Sequence, residues 1–151
     1  ENMLYIAMAE GNQISRVDVG NLEGKDKNTY PGEGYAGKAI VEGQVAGKGW
    51  EDGLLRNAKF NNPHQICFTE DGKLYIADCG NNCIRVIDTR LSIDKATVST
   101  PIGLPGMKGY KDGGADIAMF NHPFGVAVSA DGQIVYVADT GNKVIRKLSI
   151  E

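Results

Sequence analysis

The stretch LYIADCGNNCIRVID, which runs from Leu74 to Asp88, decides the fold of this chain. Two short apolar runs flank a turn that is rich in glycine and asparagine. Such runs, when turn residues bound them, are typical of strands that are buried on both faces. The stretch therefore predicts two antiparallel strands, from Leu74 to Ala77 and from Cys83 to Ile87.

The same stretch occurs three times, which predicts a repeat architecture. LYIAMAEGNQISRVD begins at Leu4 and VYVADTGNKVIRKLS begins at Val135, and each shares seven of fifteen positions with the central copy. The last two copies also match far upstream, with an offset of 60 residues between the lead-in GWEDG at Gly49 and GYKDG at Gly109. A repeat of this length is one supersecondary unit, and such units stack to bury their apolar faces.

Each unit is predicted to form a four-stranded antiparallel sheet without a helix, because Gly and Pro interrupt the windows that helical periodicity would need. Asp-Gly pairs at 71–72 and 131–132 predict two-residue hairpin turns. The segment from Lys25 through Tyr35 is interpreted as a solvated insertion. The remaining predicted strands are Gln65–Thr69, Gly125–Ser129, Val135–Ala138, Val144–Leu148, Ala96–Ile102 and, in the first unit, a strand around Lys38–Ala46.

Four short strands in each repeated unit indicate a β-propeller blade, whereas a β-sandwich would need no long self-repeat. At these residues the chain resembles the NHL-repeat family of β-propellers. The resemblance is carried by Phe60-x-x-Pro63, Asp71-Gly72-x-Leu74-Tyr75-Ile76-Ala77-Asp78 and Asn82-x-Ile84-Arg85, and by their counterparts from Phe120 to Arg146. It implies an all-β fold, a β-propeller of NHL type. The glycine-rich lead-in resembles that of bacterial, extracytoplasmic members, which implies a location in the periplasm, at the cell surface or outside the cell.

We expect one propeller segment of about 2.5 four-stranded blades. The expected division is part of blade 1 over residues 1–46, blade 2 over 47–105 and part of blade 3 over 106–151. A closed propeller has about four to eight blades, and an open one exposes sheet edges. Self-association or the remaining blades of a longer chain are therefore expected to close the ring.

The composition excludes some classes of partner. The chain has 151 residues, of which 23% are charged, and its net charge of −3 comes from acidic and basic residues that are interleaved. We expect no nucleic-acid partner, since that function favours a basic face. No apolar run approaches the about 20 residues of a membrane span, so no span is expected.

Asp78 and Arg85 recur seven residues apart as Asp139 and Arg146. In the first unit both are absent, and Met8 and Ser15 stand in their places. Joint presence and joint loss predict that the carboxylate and the guanidinium are structural partners. The alternative is a metal-binding or catalytic carboxylate.

Trp50 and Tyr110 occupy matched positions in the lead-in, Gly-aromatic-x-Asp-Gly. They can pack between neighbouring blades, or they can form exposed plates on which a sugar ring stacks. The glycan hypothesis predicts that both rings are exposed on the same face.

His64 aligns with Phe124, and His122 aligns with Asn62, so neither histidine is repeat scaffolding. The strand that follows Pro63 or Pro123 is expected to be innermost and to face the central channel. The candidate ligand-binding residues near this channel are Asn62, His64, Gln65, His122 and Phe124, and those of the lead-in are Trp50 and Tyr110.

The leading hypothesis is a non-enzymatic binding or scaffold propeller without a cofactor, which recognises a glycan, peptide or protein through its loop face. The resemblance to lyase-type NHL propellers implies an alternative, a lyase or hydrolase with Zn²⁺ or Ca²⁺ in the channel and with His64 and His122 as catalytic residues. Catalytic zinc takes about three protein ligands, and the sequence offers no clear third one.

Cys79 and Cys83 stand four residues apart in the hairpin turn, where they suggest a metal clip or a redox pair. The third unit has Thr140 and Val144 at these positions, so the turn does not depend on thiols. A lone pair of cysteines also lacks the second ligand pair of a zinc site. A hairpin disulfide stays open as an alternative.

Overall fold

The computed structural model describes residues 2–20, 32–37 and 47–150. These residues form eleven strands and two single 3₁₀ turns, at Cys79–Asn81 and Thr140–Asn142. The strands are β1 (Met3–Met8), β2 (Gln13–Asp18), β3 (Glu33–Ala36), β4 (Gly53–Leu54), β5 (Pro63–Phe68), β6 (Lys73–Asp78), β7 (Cys83–Asp88), β8 (Thr97–Gly103), β9 (Pro123–Val128), β10 (Ile134–Asp139) and β11 (Val144–Ser149). The predicted all-β class is confirmed.

The strands form three antiparallel sheets, one for each repeat. The first has the order β1-β2-β3, the second β4-β8-β7-β6-β5 and the third β11-β10-β9. The second sheet is a complete four-stranded blade, β5 to β8, with the two-residue β4 added at its outer edge. The sheets form an open array rather than a closed ring, as expected of a partial propeller.

The core consists of two clusters, one at each interface between sheets. Leu74 and Ile76 of β6 belong to the cluster shared with the first sheet. Tyr75 and Ala77 belong to the cluster shared with the third sheet. Because successive side chains of a strand point to opposite faces, β6 is apolar throughout. This explains the continuous apolar run in the deciding stretch.

The inner strands β5 and β9 begin two residues earlier than predicted, at Pro63 and Pro123. Each is an edge strand that pairs only with the second strand of its blade. Proline is tolerated as the first residue of an edge strand, because its missing N–H removes no ladder hydrogen bond there.

The first hairpin turn of blade 2 has three residues and not the predicted two. The Thr69 N–H donates to the Lys73 carbonyl at 2.9 Å, and Gly72 has a φ of +83°. In blade 3 the Ser129 N–H donates to the Ile134 carbonyl at 2.8 Å, so this turn holds one residue more. The extra residue raises the offset between the two repeats from 60 residues before this turn to 61 residues after it, as between Leu74 and Val135.

The interpretation of the segment through Tyr35 as solvated insertion is wrong at its end. Tyr35 lies in β3, is 6% exposed and packs edge-on against Tyr5, with ring centroids 5.1 Å apart. Burial of the ring stabilises this pairing of β3 with β2, and it raises the pKa of Tyr35 to about 12. The strand expected around Lys38–Ala46 lies outside the described residues.

Candidate functional site

Asp78 is a fully buried acceptor at the end of β6. Its Oδ1 accepts the Asn61 N–H at 2.9 Å, and its Oδ2 accepts Asn81 Nδ2 and Arg85 Nη1, both at 2.7 Å. Burial raises the pKa of Asp78, and the Arg85 guanidinium opposes that rise. The carboxylate therefore ties the loop before β5 to the turn before β7.

Arg85, which is also fully buried, extends this network to the lead-in loop. Its guanidinium donates to the carbonyl of Lys59 at 2.7 Å, to the carbonyl of Glu51 at 2.8 Å and to Asp52 Oδ1 at 2.9 Å. The ring of Phe60 lies 4.8 Å from its central carbon. Hydrogen bonds from a charged donor hold a loop strongly, so Arg85 fixes the lead-in against its blade.

Blade 3 repeats this network. Asp139 Oδ2 accepts Asn142 Nδ2 at 2.8 Å and Arg146 Nη1 at 3.0 Å. Arg146 also donates to the carbonyls of Met119 and Lys111 and to Asp112 Oδ1. The side chains that recur together in sequence thus lie in direct contact in both blades.

Trp50 and Tyr110 lie over these arginines with one face in solvent. Trp50 is 46% exposed and Tyr110 is 59% exposed, and their ring centroids lie 6.0 Å from Arg85 and 4.9 Å from Arg146. The indole Nε1 donates to Thr100 Oγ1 of β8 at 3.0 Å. Both rings are therefore partly exposed and partly packed, so neither of the two sequence interpretations accounts for them alone.

His64 and Phe124 form a stacked pair between the inner strands of blades 2 and 3. Their ring centroids lie 3.7 Å apart, with 24° between the planes. Each ring lies where the pairing of its inner strand with the second strand is irregular, between Pro63 and Ile66 in β5 and between Pro123 and Gly125 in β9. Such irregularities re-aim side chains, here towards the neighbouring blade.

Asn62 and His122 precede the two prolines and have left-handed backbones, with φ of +57° and +50°. The Asn62 N–H donates to Asn12 Oδ1 and the His122 N–H to Asn82 Oδ1, both at 2.9 Å. In each case the acceptor belongs to the preceding blade. We call these two hydrogen bonds the interblade latches, and they position the residues at the entrance to the inner strands.

The sequence-predicted residues therefore fall into two groups. Gln65 is exposed on β5, and its Oε1 would lie 2.5 Å from a Cβ placed on Gly125, so it covers this glycine of the neighbouring blade. Gln65 therefore forms one group with Asn62, His64, His122 and Phe124. Trp50 contacts β8, which is three strands from β5 in the sheet, or about 14 Å at normal strand spacing. We call the two groups the inner-strand site and the outer aromatic plates.

Sequence reasoning missed four asparagines of the turns between the second and third strands. Asn12 and Asn82 form the interblade latches, and Asn81 and Asn142 donate to Asp78 and Asp139. The repeated asparagine in the three turns was the available signal. Its meaning depends on a contact with another blade, which one repeat cannot reveal.

The described side chains bring together no group of three or more His, Cys, Asp or Glu residues that could hold a metal ion. His64 contacts an aromatic ring, and His122 Nδ1 lies 2.7 Å from Asn121 Oδ1. Cys79 and Cys83 are free, buried thiols, and burial raises the pKa of both.

Three stacked antiparallel sheets, of which the second contains a complete four-stranded blade, define a segment of a β-propeller, and comparison with known proteins shows which kind it resembles. Residues 60–87 match the NHL repeat. NHL repeat-containing protein 2 of Gallus gallus is 28% identical over 99% of this chain and 19% of its own length. Protein SUPPRESSOR OF QUENCHING 1 of Arabidopsis thaliana is 27% identical over 97% of this chain and 13% of its own. The chain thus contains a segment that matches the NHL repeat and is similar along its length to NHL repeat-containing proteins.

Two similar crystal structures are those of auxiliary nutrient binding proteins. The protein from Bacteroides thetaiotaomicron is 28% identical with a TM-score of 0.75, and that from Bacteroides ovatus is 26% identical with a TM-score of 0.73. Each match covers 97% of this chain and 34% of the other. The chain thus spans about a third of these structures and a fifth or less of the curated relatives. Among the residues described here, no helix has the length and apolarity that a membrane crossing requires.

Proposed function

We propose that this chain is part of a non-enzymatic binding propeller, and that the inner-strand site recognises a glycan, peptide or protein ligand. The observation that carries the proposal is the stack of His64 on Phe124 across two blades, with Asn62 and His122 beside it. Aromatic side chains with a small number of placed polar groups are the usual lining of a small-ligand site.

Backbone geometry supports a site at this position. The non-glycine residues with positive φ in the described ranges are Asn12, Asn62, Asn82, His122 and Lys143. Asn62 and His122 lie immediately before the inner strands β5 and β9. Asn12, Asn82 and Lys143 lie in the turns between the second and third strands of their units. Unusual backbone conformations that the surrounding structure holds in place concentrate at ligand sites.

Charge indicates the kind of ligand. Residues 61–68 and 121–128, which contain both inner strands, include no Asp, Glu, Lys or Arg. Amide and imidazole groups can both donate and accept hydrogen bonds. The site is therefore suited to a neutral polar ligand. The two Bacteroides structures described as nutrient binding proteins agree with a binding role.

A glycan array combined with a panel of neutral peptides tests the proposal. We expect the unaltered chain to capture a neutral member of one panel, and Phe124→Ala to weaken capture about tenfold or more, in line with the energy of a stacked ring. Trp50→Ala is the matched control, because it removes an exposed ring of the outer plates. Loss of binding with Trp50→Ala alone would place the ligand at the outer plates instead.

We also propose that the remaining blades come from a longer chain rather than from a second copy. Among the described residues, the first sheet has no inner strand beside β1, and the third has no fourth strand beside β11. Merging the two incomplete blades of neighbouring copies would give 3 + 3 strands, which is neither one blade nor two. A groove of about 300 Å³ lies at the edge of β1, where the missing inner strand would pair. It is lined by Met3, Leu4, Tyr5, Ile66, Phe68 and Leu74.

A bacterial setting outside the cytoplasm is likewise a proposal. The two nutrient binding proteins come from bacteria, whereas the curated relatives come from animals and a plant. Cell fractionation of the source organism, with an antibody against this chain, would decide it: recovery in the cytoplasmic fraction contradicts the proposal.

A further inference from the structure

His122 is held in one orientation by its neighbour. Its Nδ1 lies 2.7 Å from Asn121 Oδ1. An amide oxygen only accepts hydrogen bonds, so the hydrogen of the neutral imidazole is on Nδ1. The other ring nitrogen, Nε2, then carries a lone pair and acts as an acceptor.

Asn121 itself is fixed on three sides. Its N–H donates to Asp139 Oδ1 at 2.8 Å, and its carbonyl accepts the Gly141 N–H at 2.7 Å. Its side chain occupies the space over Gly141, where an added Cβ would lie 2.5 Å from Asn121 Cγ. The backbone of Asn121 is therefore held at both its N–H and its carbonyl, and its amide packs closely against Gly141.

The backbone of His122 is fixed as well, since its N–H forms the latch to Asn82 at 2.9 Å. The imidazole is nevertheless exposed to solvent. A side chain that is oriented at both its backbone and its ring, yet is open to solvent, is organised in advance for a partner.

The stacked rings lie close to this acceptor. Phe124 is two residues further along the chain, or about 7 Å in an extended strand, and it carries the ring of His64. Blade 2 has the same order of groups, with the amide of Asn62 two residues before His64. Each blade thus offers a polar side chain in a left-handed conformation, followed by a planar ring.

We propose that His122 Nε2 accepts a hydrogen bond from a ligand hydroxyl, while the ring of that ligand lies against the stack of His64 and Phe124. The ligand class is then a neutral, hydroxylated ring compound, which means a glycan. This inference rests on the proposed function and narrows it. A peptide lacks the combination of a neutral ring and adjacent hydroxyl groups, except at a few side chains.

The orientation can be tested without any ligand. Long-range ¹H–¹⁵N spectra of the chain labelled at histidine distinguish the two neutral tautomers. We expect His122 to carry its hydrogen on Nδ1, and Asn121→Leu to abolish this preference. A hydrogen on Nε2 in the unaltered chain would overturn the inference.

Ligand binding is tested with a panel of neutral oligosaccharides and a panel of neutral tripeptides. His122→Asn and His122→Gln form a matched pair, because the glutamine oxygen reaches about as far as Nε2 and the asparagine oxygen does not. Asparagine is already present at this position in blade 2, as Asn62, so His122→Asn suits the backbone. We expect it to weaken oligosaccharide binding about tenfold, the loss of one hydrogen bond, and His122→Gln to weaken it less.

The outcomes separate this inference from the proposed function. Capture of no oligosaccharide and no peptide would overturn both. Capture of tripeptides alone would keep the binding function and overturn the glycan class. Oligosaccharide binding that His122→Asn leaves unchanged would overturn only the role of His122.

Discussion

Asp78 and Arg85 are buried charges that contact each other, and this makes them the most sensitive residues of blade 2. Together they bond to Asn61, Asn81, Lys59, Glu51 and Asp52, all of which are outside regular strands or at strand ends. The pair thus adds side-chain hydrogen bonds to a lead-in loop whose own backbone pairing includes an isolated bridge between Glu51 and Lys59. The first unit has neither charge, and there Arg16 pairs with Glu33 at the surface instead.

Asp78→Ala should lower the free energy of unfolding by about 3–5 kcal/mol, because it leaves Arg85 buried without its main partner. Urea unfolding followed by circular dichroism measures this loss. Asp94→Ala, at an exposed position, is the control and should change stability by less than about 0.5 kcal/mol. Equal effects of the two substitutions would contradict a structural role for the pair.

The two cysteines of the hairpin turn should be inert in the native protein. Cys79 and Cys83 are at most 2% exposed, and burial raises the pKa of each thiol, which keeps it from forming the reactive thiolate. Labelling with a thiol-specific disulfide reagent should modify the half-buried Cys67 first and these two only in denaturant. Rapid labelling of Cys83, or an intact mass two hydrogens lower, would be inconsistent with this state.

Among the elements, the turn between the second and third strands determines how a blade meets its neighbours. In blades 2 and 3 it holds a 3₁₀ turn and an asparagine that bonds the buried Asp. In the first two units it also holds an asparagine that forms the latch. In the third unit Lys143 replaces the latch asparagine and keeps its left-handed backbone, with φ of +58°. The left-handed residue is therefore common to all three turns, whereas the side chains that form the latch and bond the buried Asp differ between units.

Gly141→Ala should destabilise the protein by about 1–3 kcal/mol, as overpacking does in a dense region. The added Cβ would lie 2.4 Å from the Asn121 carbonyl oxygen, and a backbone atom cannot move aside easily. Thermal unfolding measures the effect. Gly47→Ala, where no atom of the residues that the structure describes lies within 4 Å of the added Cβ, is the control and should leave the melting temperature nearly unchanged. A neutral Gly141→Ala would show that the turn is looser than described.

For the molecule as a whole, the open edges are the distinctive feature. β6 and β7 have paired neighbours on both sides, whereas, among the described strands, β1 pairs only with β2 and β11 only with β10. Unpaired edges attract further strands. The local stability of each strand therefore depends on whether it pairs with a neighbouring strand on one side or on both.

Hydrogen exchange should reveal this difference. Amides of β6 and β7 should exchange slowest, and every second amide of β1 and β11 should exchange fast, since local opening costs little at an unpaired edge. Mass spectrometry or NMR at several protein concentrations measures the pattern. Slow exchange in β1 that appears only at high concentration would indicate that another copy covers this edge, contrary to the proposal of a longer chain.

Much of this organisation could be predicted from the sequence. Three copies of one apolar pattern predicted stacked sheets, and the joint loss of Asp and Arg in the first unit predicted their partnership. The strand at Glu33–Ala36 was missed, because its four residues carry no periodic signal and only Tyr35 and Ala36 are buried. Turn length was misjudged, because the position of a left-handed glycine does not by itself define how many residues the turn contains.

The sequence by itself determined the repeat, the strand content and the side chains that each blade contributes. Only the tertiary structure decided which of those side chains meet. His64 and Phe124 are 60 positions apart and come together because neighbouring blades stack. Trp50 and His64 are 14 positions apart and are separated because β6 and β7 lie between β8, which Trp50 contacts, and β5, which carries His64. Local patterns follow from the chemistry of neighbouring residues, whereas a site between blades depends on long-range packing that no single repeat encodes.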